Sequence, residues 1–335
     1  MRIIGIVNQT SGSCYHRVYT TLMNMEGDVH ITNKLTEEQL EKGCDVLVIN
    51  RFAFYNEAQE IYDWRDKYGF KLVIDIDDYW ELNSGHILHD NWQFNNIPNI
   101  IVQNLIQADV VTVTHDRLAE YVAFLNKNVH ILPNAIPGGF EQFNIDKQPS
   151  DKIRVMWQGS ITHRADVEIL RNPMKRVFAD KQLRDKTQMV FGGHVRNLTD
   201  SDSMLSALTY SLKMDNVIFP GTKPADYYQI YNHADVCVIP LVENRFNSFK
   251  SNLKILEAAY AGCPVIVSKV NPYLGFPEDV LLYVEEQGDW YRYMKSLADV
   301  DYFRHMIGKN LMEYCNKHYN FKEINLKRKQ IYESK

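Results

Sequence analysis

Residues 234–269 read ADVCVIPLVENRFNSFKSNLKILEAAYAGCPVIVSK, and their pattern decides the fold. Asp235 to Ile239 is a short, nearly continuous apolar run, as expected of a parallel strand buried on both faces. Pro240 ends it, and a polar loop with Asn244, Arg245, Asn247 and Ser248 follows. A helix is expected to begin within Ser248 to Ser251, where a hydroxyl can cap free amides. Leu253, Leu256 and Tyr260 recur at helical spacing, and Gly262 with Pro264 stops the helix before a second strand, Val265 to Ser268. This strand–loop–helix–strand unit places Lys250, Ser251 and Lys254 near a helix N-terminus. Free N–H groups and the positive end of the helix dipole make such a place suited to a phosphate. Glu257, one turn beyond Lys254, lies deep enough to reach a sugar hydroxyl.

The same block resembles the donor-binding signature of the GT-B-fold glycosyltransferases called glycosyl transferases group 1, or family 4. Leu256, Glu257, Ala258, Ala261, Gly262, Pro264, Val265 and Ile266 carry the likeness. The resemblance implies that the helix grips a nucleotide-diphosphate sugar and that Glu257 holds its ribose. The family's usual pair of glutamates, eight apart, would place the first at Phe249, so the chain is similar to a divergent branch with a lysine near the diphosphate.

The rest of the chain continues the alternation of strands and helices. In the first half, Arg2 to Asn8, Cys44 to Asn50, Lys71 to Ile76 and Asp109 to Thr114 read as strands, with weaker candidates at Val29 to Thr32 and Val129 to Leu132. Helical stretches such as Glu57 to Tyr68 and Ile97 to Gln107 separate them. In the second half the strands are Ile153 to Gln158, Gln188 to Phe191, Asn216 to Phe219, Asp235 to Ile239, Pro264 to Ser268 and Val280 to Tyr283. Such alternation implies doubly wound parallel sheets. The fold class expected is α/β: two tandem Rossmann-like domains (GT-B) facing a central cleft. The N-terminal domain is placed at 1–138, with the C-terminal helix, residues 319–335, crossing back onto it, and the C-terminal donor domain at 139–318. The turn-rich stretch from Pro133 to Asp151 holds the join.

Composition sets the class. With 335 residues, 45% hydrophobic and 24% charged, the chain is globular and long enough for two cores. No apolar run reaches the ~18 residues of a membrane span, Met1 to Val7 reads as a strand rather than a signal peptide, and the five cysteines show no C-x-x-C. A reducing, cytoplasmic setting is expected. Residues 1–140 hold 10 Lys+Arg against 18 Asp+Glu, whereas 141–335 hold 27 against 24. An acidic first half disfavours nucleic acid as partner, because polyanions are bound by neutralising phosphates. A glycan, a lipid-linked glycan or a small molecule is the acceptor class expected.

Candidate site residues fall at strand ends. The loop after the first strand, with Ser11, Gly12, Tyr15 and Arg17, lacks G-x-G-x-x-G and resembles the family's acceptor-side loop; the alternative is an ordinary strand–helix turn. Asp75, Asp77 and Asp78 close another strand. An Asp-x-Asp could ligate Mg²⁺ or Mn²⁺, but tandem domains with basic groups in the other half do not call for a metal or a cofactor. Asp77 or Asp78 is expected to bind sugar hydroxyls or act as base, or else to cap the strand. His115 ends the next strand and is a catalytic candidate, although a lone histidine there is more often structural. Gly159, Ser160, His163 and Arg164 resemble the family's first donor loop. Gly159 lets backbone approach a ligand, and Arg164 suits a diphosphate. The next helix is expected near Asp166.

The expected function is a metal-independent, retaining glycosyltransferase. A tandem-Rossmann sugar-nucleotide epimerase and a non-catalytic sugar-nucleotide binder are the rival classes.

Overall fold

The computed structural model describes residues 1–194 and 209–334, in two compact units. Unit 1 comprises Met1–Pro137, Phe249–Ser251 and Asn320–Lys335; unit 2 comprises Gly138–Ser248 and Asn252–Tyr319.

Unit 1 is built on a parallel sheet of β1 (Arg2–Ile6), β2 (Asp28–Thr32), β3 (Val46–Asn50), β4 (Lys71–Ile76), β5 (Val110–Val113) and β6 (Val129–Ile131), in the order β2-β1-β3-β4-β5-β6. The central strands are apolar because helices cover both faces: Val46 to Ile49 and Leu72 to Ile76 are buried throughout, Asp75 included. Helical segments Gly12–Cys14, Tyr15–Tyr19 and Thr20–Met23 follow one another after β1, the middle one with π-helical bonding. α1 (Tyr55–Tyr68), α2 (Ile97–Gln107) and α3 (Asp116–Val122) make the later crossovers.

Unit 2 repeats the plan with β7 (Ile153–Gln158), β8 (Thr187–His194), β9 (Asn216–Pro220), β10 (Val236–Ile239), β11 (Val265–Ser268) and β12 (Leu282–Val284), ordered β12-β11-β10-β7-β8-β9 and all parallel. Its helices include α4 (Arg164–Glu168), α5 (Leu253–Tyr260), α6 (Gln287–Asp299) and α7 (Asp301–His318). Trp157, Met174, Val177, Trp290 and Leu297 fill one face of the sheet. Each such side chain, removed from water, contributes about 1.5–3 kcal/mol before the entropy of ordering is set against it. The last helix, α8 (Phe321–Glu333), sends Ile331 and Tyr332 into the core of unit 1.

Both sheets are the parallel, doubly wound type expected. Two local expectations are corrected. α5 begins at Leu253, not within Ser248 to Ser251. Asn247 is the reason: its Nδ2 donates to Val242 O at 2.9 Å, and Asn247–Phe249 close a single 3₁₀ turn instead of starting the helix. α4 likewise starts at Arg164, two residues before the expected Asp166.

Candidate donor site and its neighbours

In an open parallel sheet, ligands collect outside the carboxyl ends of the strands where the strand order reverses. In unit 2 that point lies between β7 and β10. The loop after β7 is Gly159–His163, and Gly159 N donates to Gly192 O at 3.2 Å, which brings the ends of β7 and β8 together. Gly193 has φ +93°, and a Cβ there would run into the Gly159 carbonyl oxygen. Only glycine tolerates that approach.

Beside this loop three polar side chains form a chain. The Lys254 ammonium lies 3.3 Å from His163 Nε2, and His163 Nδ1 lies 2.7 Å from Asp166 Oδ2. Asp166 is buried, and its other oxygen accepts from Val242 N at 2.8 Å and Asn247 Nδ2 at 3.2 Å. Burial alone would raise its pKa, yet the bonds from His163 and Val242 and the Lys254 charge hold it below the usual carboxylate range. With Nδ1–H donating to the Asp166 carboxylate, Nε2 is the acceptor that faces Lys254. The ammonium also stands 5.9 Å from the ring centre of Trp157, a cation–π distance. Lys254 is the second residue of α5, so its charge adds to the dipole at that helix start.

Glu257, one turn on, is only 2% exposed. Tyr227 donates to one carboxylate oxygen and Tyr231 to the other at 2.9 Å, while Tyr228 donates to the backbone oxygen of Glu257 at 3.0 Å. Burial outweighs these donors and the Lys254 charge, raising the pKa to about 7.

The remaining sequence candidates are placed as follows. Ser160 and Arg164 are exposed beside the Gly159 loop. Lys250 and Ser251 lie before α5 and belong to unit 1, where Asn134 Nδ2 donates to Ser251 Oγ at 2.8 Å. Thus Ser251 does not cap α5.

In unit 1 the order reverses between β1 and β3. Ser11 Oγ accepts from Cys14 N at 3.2 Å, capping the helical turn after β1, with Gly12 exposed beside it. Tyr15 and Arg17, expected in the acceptor-side loop, are both buried, so neither side chain is open to an acceptor here. Arg17 is pinned by Asp75, with Nε to Oδ1 at 2.9 Å and Nη2 to Oδ2 at 2.7 Å, and by Leu132 O at 2.7 Å. A guanidinium so engaged in the interior is a structural charge. Asp75 also accepts from Thr112 Oγ1 at 2.6 Å. Its full burial favours the neutral acid, but Arg17 outweighs burial and keeps its pKa low.

Asp77 and Asp78 share Arg51, which donates to Asp77 at 3.1 Å and to Asp78 at 3.0 Å. Arg51 has φ 68°, a left-handed conformation rare outside glycine. Burial raises the Asp77 pKa despite Arg51, and Asp78 adds to the rise. His115 has both ring nitrogens engaged: Nδ1 accepts from Leu118 N at 3.2 Å, capping α3, and Nε2 lies 3.0 Å from Phe249 O. Burial lowers its pKa, so it is held neutral.

Sequence reasoning missed Asp166, Tyr227, Tyr231 and Arg51. Only the tyrosines left a signal, four apart and just ahead of the β10 strand.

The switch-point loop, the basic helix start and the buried glutamate all lie within residues 152–297, which match a family model described as Glycosyl transferases group 1. Over this stretch, which is less than half of its length, the chain is similar to the glycosyl transferases group 1 family. No curated protein matches the sequence. Solved structures of glycosyltransferases share its GT-B fold at low identity. HepE of Anabaena, crystallised with UDP and glucose, is 11% identical with a TM-score of 0.66, each chain covered in full. A UDP-forming trehalose-phosphate synthase from Burkholderia xenovorans is 9% identical with a TM-score of 0.63, covering 99% of this chain and 98% of that one. S. aureus TarM is 13% identical with a TM-score of 0.63; 89% of this chain is covered, and it spans only 57% of TarM. Among the described residues, no helix is long and apolar enough to cross a membrane.

Proposed function

We propose that the protein transfers a sugar from a nucleotide-diphosphate sugar, with uridine as the nucleoside, to an acceptor recognised by unit 1. The observation that carries this reading is the buried Glu257 one turn past Lys254, inside the segment that matches the family. HepE, which has the same fold, was crystallised with UDP-glucose, which supports the choice of nucleotide.

Lys254, backed by His163, would meet the diphosphate, with the Gly159–Ser160 backbone and Arg164 beside it. Positive charge there stabilises the leaving group as the glycosidic bond breaks, which is where negative charge grows. Lys250 and Ser251 remain diphosphate candidates, but the helix-dipole argument for Lys250 passes to Lys254 now that α5 starts at Leu253. Glu257 would accept from the ribose hydroxyls. In unit 1, Asp77 and Asp78, aligned by Arg51, would bind sugar hydroxyls, and His115 would position the Phe249 backbone rather than exchange protons. Ser11 and Gly12 would stand on the acceptor side. Family resemblance implies retention of the anomeric configuration without a metal.

The test is UDP release from a panel of UDP-sugars, with and without glycan, lipid-linked glycan and small-molecule acceptors. Release that needs an acceptor supports transfer. Turnover of donor alone at a useful rate would make the protein an epimerase or hydrolase, and binding without release would make it a non-catalytic binder.

A further inference from the structure

Arg328, on α8, is 1% exposed inside unit 1. The carboxylate it faces is already occupied: Asp75 takes two bonds from Arg17 and one from Thr112. Arg328 Nη1 stands 3.7 Å from Asp75 Oδ2, an ion-pair distance too long for a hydrogen bond. Among the described residues, neither Nη1 nor Nε of Arg328 has a hydrogen-bond partner. Two guanidinium groups thus share one carboxylate. His16 beside them does not alter the balance, since burial lowers its pKa to about 3 and leaves it neutral.

A cavity of about 10 Å³ lies here, lined by His16, Arg17, Asn134, Asn325 and Arg328. That is room for one water-sized occupant. A second buried guanidinium with no counter-charge of its own is costly, and a neutral water would not offset it. A halide is somewhat larger than a water and would enter only with a small outward shift of the lining side chains, whereas an organic phosphate or carboxylate would need several times this space. We propose that the cavity is a site for a monovalent inorganic anion of halide size, which fastens α8 to the sheet through Arg328. Asn325 Oδ1 is also without a partner among the described residues and is an acceptor, so a water bonded to it is the competing occupant. The inference does not depend on the sugar-transfer reading.

The test compares melting of the full-length protein in sodium chloride and in sodium gluconate at equal ionic strength. Binding to the folded state raises stability by mass action, and a Tm higher in chloride by roughly 2–4 °C is expected. Arg328→Gln should abolish the difference. Equal Tm values for the wild type, or a difference that survives Arg328→Gln, would overturn the site. Should that variant fail to fold, wild-type crystals soaked in sodium bromide decide: an anomalous peak next to Arg328 is expected, and no peak there would overturn the proposal.

Discussion

The ammonium of Lys254 lies 3.3 Å from Nε2 of His163, although the two residues are 91 apart in the chain. Asp166 sets the direction of this contact by accepting a hydrogen bond from the N–H of the opposite ring nitrogen. The lysine is therefore held at the start of α5 instead of sweeping through solvent, at the mouth of the Gly159 loop. Side-chain order present before a ligand arrives lowers the entropy lost on binding.

Lys254→Ala should weaken UDP more than uridine. A charge-assisted contact contributes ~1.5–3 kcal/mol, so the loss on UDP should be roughly tenfold to a hundredfold with uridine little changed. Titration calorimetry on both ligands checks this, with Lys250→Ala measured in parallel. An effect confined to Lys250→Ala would move the phosphate contact out of α5.

Nucleotide binding should tighten as pH rises through about 7. Burial raises the Glu257 pKa to about 7, so below that pH the group is a protonated acid. A ribose hydroxyl donating to the carboxylate prefers the ionised form, and deprotonation costs ~1.4 kcal/mol for each pH unit below the pKa. Affinity should fall up to about tenfold per unit on the acid side, and Glu257→Gln should flatten the profile. The same group makes folding pH-dependent with a definite sign. A carboxyl whose folded pKa lies above the unfolded value of 4.5 lends stability that is complete below 4.5 and lost as pH rises through about 7. The melting temperature of Glu257→Gln should therefore lose that decline.

Asp75→Ala should destabilise unit 1 by about 3–5 kcal/mol, because it strands Arg17 and Arg328 in the interior. Thermal melting measures this. UDP affinity should be unchanged where the variant is folded, since the proposed donor contacts of Lys254, His163 and Glu257 lie in unit 2. A melting temperature equal to wild type would remove the structural role given to this pair.

Activity should survive a chelator. Asp75, the first carboxylate of the Asp-x-Asp, is fully buried and bound to Arg17, and Asp77 is shared with Arg51. Turnover in EDTA checks it; complete loss restored by Mn²⁺ would reassign Asp77 and Asp78 as metal ligands.

What could be read in advance follows from the range of the forces involved. Parallel strands covered on both faces are continuous apolar runs, so Val46–Asn50 and Val265–Ser268 were visible to within two residues at each end. Glu257 was legible because its motif is local. The start of α5 was not, because Asn247 bonds to Asp166, 81 positions away, and turns the chain before the helix can form. Arg17 read as part of an acceptor-side loop for a similar reason. Its partner Asp75 is 58 positions away, and nothing local marks a charge that will be neutralised in the core. The tyrosines around Glu257 belong to a 3₁₀ stretch, Tyr227–His233, whose spacing imitates an ordinary packed helix.

The most direct measurement is the dissociation constant of UDP for the wild-type protein and for Glu257→Ala, by titration calorimetry above pH 7. Saturable binding to the wild type is expected, with the variant folded and at least tenfold weaker. A folded variant that binds UDP as tightly as the wild type would contradict a donor site built around Glu257.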